Sequence, residues 1–303
     1  MDFGRVPEDE LSNIDFSLTA ESAFNKAILK GKPVKNPKVY IGCAKWGRTE
    51  WVGKIYPSKA KEKDFLEHYL NHYNSIELNA THYKVYGEEG IKKWAAKAVN
   101  KDFKFCPKMY QGITHRGSLK GKDFIMNEFF KGVVAFGEQL GPIFIQVSET
   151  FAPKRKEELF DFLKSLPTDL QFFMEVRHPD WFAKPDLAEE LFSTLAAMNI
   201  GAVITDTAGR RDCAHMHLTL PKTFIRYVGN SLHATDYTRI DEWIKRMKYW
   251  LDKGMEELYF FMHMHDEATS PELTVYLVDK MNKELGLNLI KPKFIAEQKG
   301  LFD

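Results

Sequence analysis

IFIQVSETFAPKRKEELFDFLKSLPTDLQFFMEVR, residues 143–177, contains one complete structural unit. Ile143–Val147 is a short β-type run. Leu159, Phe162, Leu163 and Leu166 then fall at i, i+3, i+4 and i+7, the spacing of one helical face. Leu170–Val176 is β-type again. Strand, helix, strand in this order predicts parallel pairing through a right-handed crossover. The same rhythm extends outward on both sides. Val39–Cys43, Ser75–Asn79 and Phe103–Lys108 precede the unit, and Gly201–Thr205, Thr223–Val228 and Glu257–His263 follow it, which makes eight β-type runs. Between them, Phe65, Tyr69 and Tyr73 share a helical face, as do Ile91, Trp94, Ala95 and Ala98, and Leu273, Leu277, Met281 and Leu285. Ser270 before Pro271 marks a helix start, because proline is pre-organised for the first helical position.

A closed TIM-type (β/α)8 barrel and an open doubly wound sheet both use this alternation. No GxGxxG follows the first strand and no P-loop occurs, which removes the commonest open-sheet signatures. Eight units in about 250 residues match a barrel. The expected fold is therefore an α/β TIM-type barrel over residues 37–303, preceded by an N-terminal extension, residues 1–36. Within that extension one short helix is expected from about Ala20 to Lys30, capped by Thr19. Asp206–Leu220 has no helical period, so the sixth connection is expected to be an irregular loop.

Of the 303 residues, 44% are hydrophobic and 14% aromatic, ample for a core and incompatible with general disorder. Forty-three Lys and Arg against forty-two Asp and Glu argue against a chain built to coat nucleic acid. Cys43, Cys106 and Cys213 form no CxxC pair and fit a reducing compartment. No signal core precedes the barrel and no stretch approaches the roughly 20 apolar residues of a membrane span. The cytoplasm is the expected location, with no membrane partner.

Parity places the polar residues. Ile76 and Leu78 share one strand face and should meet the helices, which turns Glu77 and Asn79 inward. Glu175 and Arg177 lie on one face with Phe173 below them. Lys108 ends the third strand, Gln146 lies near the end of the fourth and Asp206 follows the sixth. Arg226 is in the seventh, and His263 and His265 close the eighth. In barrels the carboxyl ends of the strands carry catalytic and binding groups. Barrel interiors also hold self-satisfied ion pairs with no catalytic meaning, here Glu77–Arg226 or Glu175–Lys108, so the cluster alone is a probabilistic marker.

Several separated motifs resemble one family. Ile41-Gly42-Cys43-Ala44-Lys45-Trp46, then Trp51 and Tyr56-Pro57, is similar to the first-strand motif of the YecE-like family. Ser75-Ile76-Glu77-Leu78-Asn79-Ala80-Thr81-His82-Tyr83 follows in order, then Phe103-Lys104-Phe105 with Ile113-Thr114-His115, then Glu175-Val176-Arg177-His178-Pro179-Asp180-Trp181, and finally Gly300-Leu301-Phe302. The resemblance implies a TIM barrel of unknown function, often described as related to sugar isomerases. Two blocks depart from it. Arg226-Tyr227-Val228-Gly229 stands where the family tends to have Arg-x-His-Gly, and His263-Met264-His265-Asp266 where it tends to have asparagines.

Acid–base chemistry on a sugar-like or phosphorylated small molecule is the first functional reading. Glu77, Glu175 and Asp206 are its catalytic candidates, because such reactions need titratable groups on opposite sides of a carbon skeleton. Asn79, Gln146, His263 and His265 would orient polar groups, and Lys108, Arg177 and Arg226 would hold an anion. Phosphate could also rest on backbone N–H groups at Gly229-Asn230-Ser231, beside a basic loop at Thr114-His115-Arg116. A metal-dependent hydrolase using His215-Met216-His217 and His263-Met264-His265 is an alternative, since an HxH strand puts both imidazoles on one face. Loop histidines are the commoner explanation, and no cofactor is specified. A non-catalytic nucleic-acid binder is the second class, carried by Arg210-Arg211, Lys154-Arg155-Lys156, and Lys245-Arg246 with Trp243 and Trp250. At helical spacing those tryptophans would face the core instead. Cys43 as a nucleophile has no base tied to it, and a packed thiol fits better.

Overall fold

The β-branched and aromatic runs pair as eight parallel strands: β1 (Lys38–Cys43), β2 (Ser75–Leu78), β3 (Lys104–Pro107), β4 (Ile143–Gln146), β5 (Phe172–Glu175), β6 (Gly201–Asp206), β7 (Lys222–Gly229) and β8 (Glu257–Met264). The computed structural model describes residues 3–295, so the Gly300-Leu301-Phe302 motif lies outside the described residues. Strand order is β3-β2-β1-β8-β7-β6-β5-β4, the cyclic order of a barrel. The β3/β4 seam is joined by two parallel bridges, Phe105 to Leu140 and Lys108 to Phe144. There the Met109 N–H donates to the Phe144 carbonyl at 2.9 Å and the Gly141 N–H to that of Phe105 at 2.7 Å. Closure removes the exposed strand edges that an open sheet must protect.

Helices on the outside cover seven of the eight strands. They are α1 (Phe65–Tyr69), α2 (Glu88–Lys97), α3 (Asp123–Val133), α4 (Lys156–Lys164), α5 (Pro185–Ala197), α6 (Ala234–Asp252) and α7 (Ser270–Leu285). Each buries the apolar stripe that its spacing predicts, as Leu159, Phe162 and Leu163 do in α4. Trp243 and Trp250 of α6 are buried in the same layer, as their spacing indicates. Inside the barrel the fill is a separate aromatic cluster: Tyr40, Phe144, Phe173, Phe224, Tyr259 and Phe261, with Cys106 and Val203. The interior is a packed core with a solid floor.

The sixth unit breaks the pattern. Between β6 and β7 the chain forms only one 3-10 turn, Arg211–Cys213, so no helix covers β6 there. The N-terminal segment lies against that connection. Thr207 Oγ1 donates to the Phe3 carbonyl at 3.1 Å, and the Gly209 N–H donates to that of Gly4 at 2.8 Å. Arg211 donates to the Phe16 carbonyl, and Arg246 and Trp250 of α6 donate to Glu21. Buried Asn25 donates to Met216 O and accepts from the Leu218 N–H, both at 2.8 Å.

The helix expected over Ala20–Lys30 is therefore only one turn, Asn25–Ile28. Thr19 caps nothing; its hydroxyl donates to the Ala214 carbonyl instead. Long-range side-chain bonds hold this segment extended and outcompete local helix formation. Among the described residues no helix is long and apolar enough to cross a membrane.

Asn25→Ala removes the amide that satisfies two buried backbone groups of the sixth connection. It should lower unfolding free energy by about 2–6 kcal/mol, since each orphaned group costs about 1–3. Urea denaturation should show a lower midpoint with an unchanged slope.

Candidate active site

Strand parity builds one polar layer above the aromatic floor. Phe144, Phe173, Phe224 and Phe261 point inward, so the residue two further along each strand does too. These are Gln146 on β4, Glu175 on β5, Arg226 on β7 and His263 on β8. Thr205 on β6 follows Val203, Glu77 on β2 follows Ser75, and Lys108 follows Cys106 just past β3. Strand β1 adds no side chain, because its inward position is Gly42, where a Cβ would collide with the Ser75 carbonyl.

Arg226 lies at the centre with 1% of its surface exposed. Its Nε and Nη2 donate to Glu77 Oε2 and Oε1 at 2.8 and 2.9 Å, a two-point grip on one carboxylate. Its Nη1 donates to Glu175 Oε2 at 2.9 Å and Oε1 at 3.2 Å. Asn79 Nδ2 donates to Glu77 Oε1 at 2.8 Å, and His263 Nε2 lies 3.0 Å from Oε2. Arg177 Nε and Thr205 Oγ1 donate to Glu175 Oε1 at 2.8 and 2.9 Å. All four carboxylate oxygens accept hydrogen bonds. Burial pushes both carboxyls up, but their hydrogen-bonding neighbours outweigh it. Arg226 and His263 hold Glu77 well below the usual carboxylate range, and Arg177 and Arg226 hold Glu175 at about 2.

Lys108 stands beside this chain of charges. Its Nζ donates to Gln146 Oε1 at 2.8 Å and lies 5.5 Å from the centre of the Phe144 ring. Burial, then repulsion from Arg226, lowers its pKa to about 7. His115 Nε2 is 3.4 Å from Gln146 Nε2, and the His82 ring stacks edge-on to that of His115. Burial and then Lys108 push these imidazoles down, to about 4 for His115 and about 3 for His82, so both are neutral at pH 7. Across the mouth, the Phe3 ring of the N-terminal segment lies 3.9 Å from the Arg177 guanidinium carbon.

Eight of the ten residues expected at the mouth thus converge: Glu77, Asn79, Lys108, Gln146, Glu175, Arg177, Arg226 and His263. Asp206 does not. It alternates with inward Thr205 and faces α6, where Trp243 Nε1 donates to it at 2.7 Å and Arg239 and Arg211 pair with it. His265, past the end of β8, lines a separate cavity of about 370 Å³ with Arg5, Glu8, Leu11, Asn230 and Ser231. The Glu175–Lys108 pair is replaced by Glu175–Arg226 and Lys108–Gln146. Thr205, His82 and Phe3 are the members that the sequence reading passed over. Thr205 carries no sequence signal, because the inward Val203 and outward Ile204 of β6 are both apolar.

The other candidate sites are occupied by local bonds. The N–H groups of Asn230 and Leu232 donate to the Asp236 carboxylate, so they are engaged before any phosphate arrives. His215 and His217 pack on Phe192, apart from His263 on Glu77, and burial drives His215 to about 3. Among the described residues no group of three or more His, Cys, Asp and Glu side chains is placed to share an ion. Arg210, Arg155 and Lys156 pair with Asp212, Glu158 and Glu190. Cys43 is buried and its thiol is pushed far up by that burial.

Fold and polar layer together define a TIM-type α/β barrel with a charged mouth at the carboxyl ends of its strands. Residues 40–296 match the family described as "Protein of unknown function DUF72", and the chain belongs to it. It is 29% identical over 265 residues to the UPF0759 protein YecE of Escherichia coli K12, covering 82% of this chain and 94% of that one. To the UPF0759 protein YunF of Bacillus subtilis it is 27% identical over 154 residues, 48% of this chain and 53% of that one. Crystal structures of DUF72 family proteins share the fold. The Enterococcus faecalis protein has a TM-score of 0.61 at 15% identity, over 85% of this chain and all of that one. The Thermotoga maritima protein has a TM-score of 0.60 at 20% identity, over 82% and all, respectively.

Arg226→Met takes the shared cation from two buried carboxylates, leaving Glu175 with Arg177 and Glu77 with Asn79 and His263, and should cost about 3–5 kcal/mol in denaturant unfolding. Arg226→Lys should recover little of it, because an ammonium lacks the planar fork.

Lys108 sets a pH dependence. With a folded pKa near 7 against 10.5 unfolded, the folded state binds fewer protons between those values. Stability should therefore rise with pH across that window, by up to about 1.4 kcal/mol per unit, and fall as pH drops towards 7. Denaturation at about pH 7, 8 and 9 should show Lys108→Met with a flatter profile than wild type.

Proposed function

We propose that this barrel is an enzyme that binds a small polar anion at its mouth and moves protons there through Lys108. One observation carries the reading. The Lys108 amine is buried at the carboxyl end of β3, bonded to the neutral Gln146 amide, with no carboxylate in ion-pair distance among the described residues. A lysine kept near its own titration point at neutral pH is suited to give and take protons.

In this reading Glu77 and Glu175 are positioning groups. Their oxygens are saturated and their charge is held by arginines, so they orient Arg226 and Arg177 rather than exchange protons. The acid–base work moves to Lys108, with neutral His82 and His115 alongside. An incoming anion finds Lys108 after β3 and Arg177 after β5, on either side of β4, and its charge draws a proton onto Lys108. The resemblance to sugar-isomerase-related proteins agrees with a sugar-like or phosphorylated skeleton, an inference from fold-level likeness. Three free, buried cysteines support a reducing, cytoplasmic setting.

Sulfate, which does not titrate near neutrality, is a clean probe. It should raise the melting temperature of the wild type, by an amount equivalent to about 2.7 kcal/mol at 100 times its dissociation constant. The increase should be larger at about pH 6 than at about pH 8, because Lys108 is charged below its pKa. Lys108→Met should abolish both the increase and its pH dependence. A pH-independent response equal in the variant would place anion binding elsewhere.

A further inference from the structure

We propose that Lys108 is a covalent amine, forming an imine with the carbonyl carbon of a small anionic substrate held at the mouth. The inference deepens the anion-binding reading and rests on it. Three geometric facts carry it. Lys108 is 8% exposed and its amine lies over the Phe144 ring, so the aromatic floor lines one side of it. Its hydrogen-bond partner Gln146 is neutral, so no carboxylate holds the nitrogen as an ammonium ion. Arg177 projects from the same layer, its Nε on Glu175 and its Nη1 3.7 Å from Glu149, and its charge favours a substrate that carries an anion next to its carbonyl.

Each condition serves the chemistry. An amine is nucleophilic only with its lone pair free, and a desolvated lysine beside other cations meets that requirement near neutral pH. The Nζ lone pair forms the C–N bond while the C=O π pair moves onto oxygen, which takes up a proton. That oxygen then leaves as water, carrying the second hydrogen that nitrogen gives up, and a C=N bond remains. Amine plus carbonyl gives imine plus water, with no oxidant or reductant. Once protonated, the imine withdraws electrons from the neighbouring carbon, which opens proton removal or carbon–carbon cleavage at that position. The substrate class is therefore a short carbonyl compound with a carboxylate or phosphate.

Borohydride trapping followed by peptide mapping tests this, with pyruvate in one arm and dihydroxyacetone phosphate in the other. At about pH 7 the neutral fraction of Lys108 exceeds that of an ordinary surface lysine by a factor on the order of 10³. The expected result is a reduced adduct on the Lys108 peptide, at least tenfold faster than on exposed Lys92 or Lys248, in at least one arm. The arm that labels identifies the anion as carboxylate or phosphate. A Phe3→Ala variant runs in parallel, because the Phe3 ring covers Arg177 in the mouth.

Labelling of Lys108 no faster than of the exposed lysines, in both proteins and both arms, overturns the proposal. Because the adduct is read on wild-type protein, the result does not depend on a variant folding. A sulfate response lost in Lys108→Met but without any adduct overturns the imine and leaves the anion site in place.

Discussion

A guanidinium with almost no exposed surface is held between two carboxylates that arrive from different strands, and the rest of the barrel is arranged around it. Arg226 donates from one edge of its plane to Glu77 and from the other to Glu175. Desolvating three charges is expensive, and the arrangement is tolerable only because every carboxylate oxygen is bonded. The requirement propagates. Asn79, His263, Arg177 and Thr205 are each placed by the need to complete the two carboxylates. The ends of β2, β5 and β7 are thereby tied at a fixed spacing, which sets the width of the mouth. A shorter or non-planar cation would not span both partners.

The same triad decides which group is left to titrate. Two carboxylates held low by arginines stay ionised across the useful pH range and offer no proton. Lys108 has the opposite surroundings: burial and the nearby Arg226 both disfavour its charge, and its one close partner is an amide. Neighbouring groups in one layer thus have pKa values driven apart.

Legibility in the sequence varied with the contrast between the two faces of each strand. In β2 the polar Glu77 alternates with Ile76 and Leu78, and its inward position could be read without coordinates. In β6 the inward Val203 and outward Ile204 are both apolar, so alternation carries no sign and Asp206 was assigned to the mouth. It serves the layer between β6 and α6 instead, holding Arg239 and Trp243. The eight-strand rhythm survived because each unit is local, a helix period followed by a strand. The path of residues 3–25 was illegible for the opposite reason: its partners lie about two hundred positions away, and no window of sequence contains both. The His82 and His115 pair joins two loops in the same hidden manner, and the depressed pKa of Lys108 depends on burial inside the closed barrel and then on Arg226, far away in the chain.

The missing sixth helix has a consequence in time. Thr207 receives Phe3 across a separation of 204 residues, so this segment is made well before the residues that seat it. At ribosomal speeds of about 5–20 residues per second, the leading segment waits roughly ten to forty seconds for its seat to emerge. Through that interval Phe3 and Phe16 lack the Thr207 and Arg211 contacts that later seat them. The acidic and polar residues spaced along that segment, from Glu8 to Glu21, keep it hydrated while it waits.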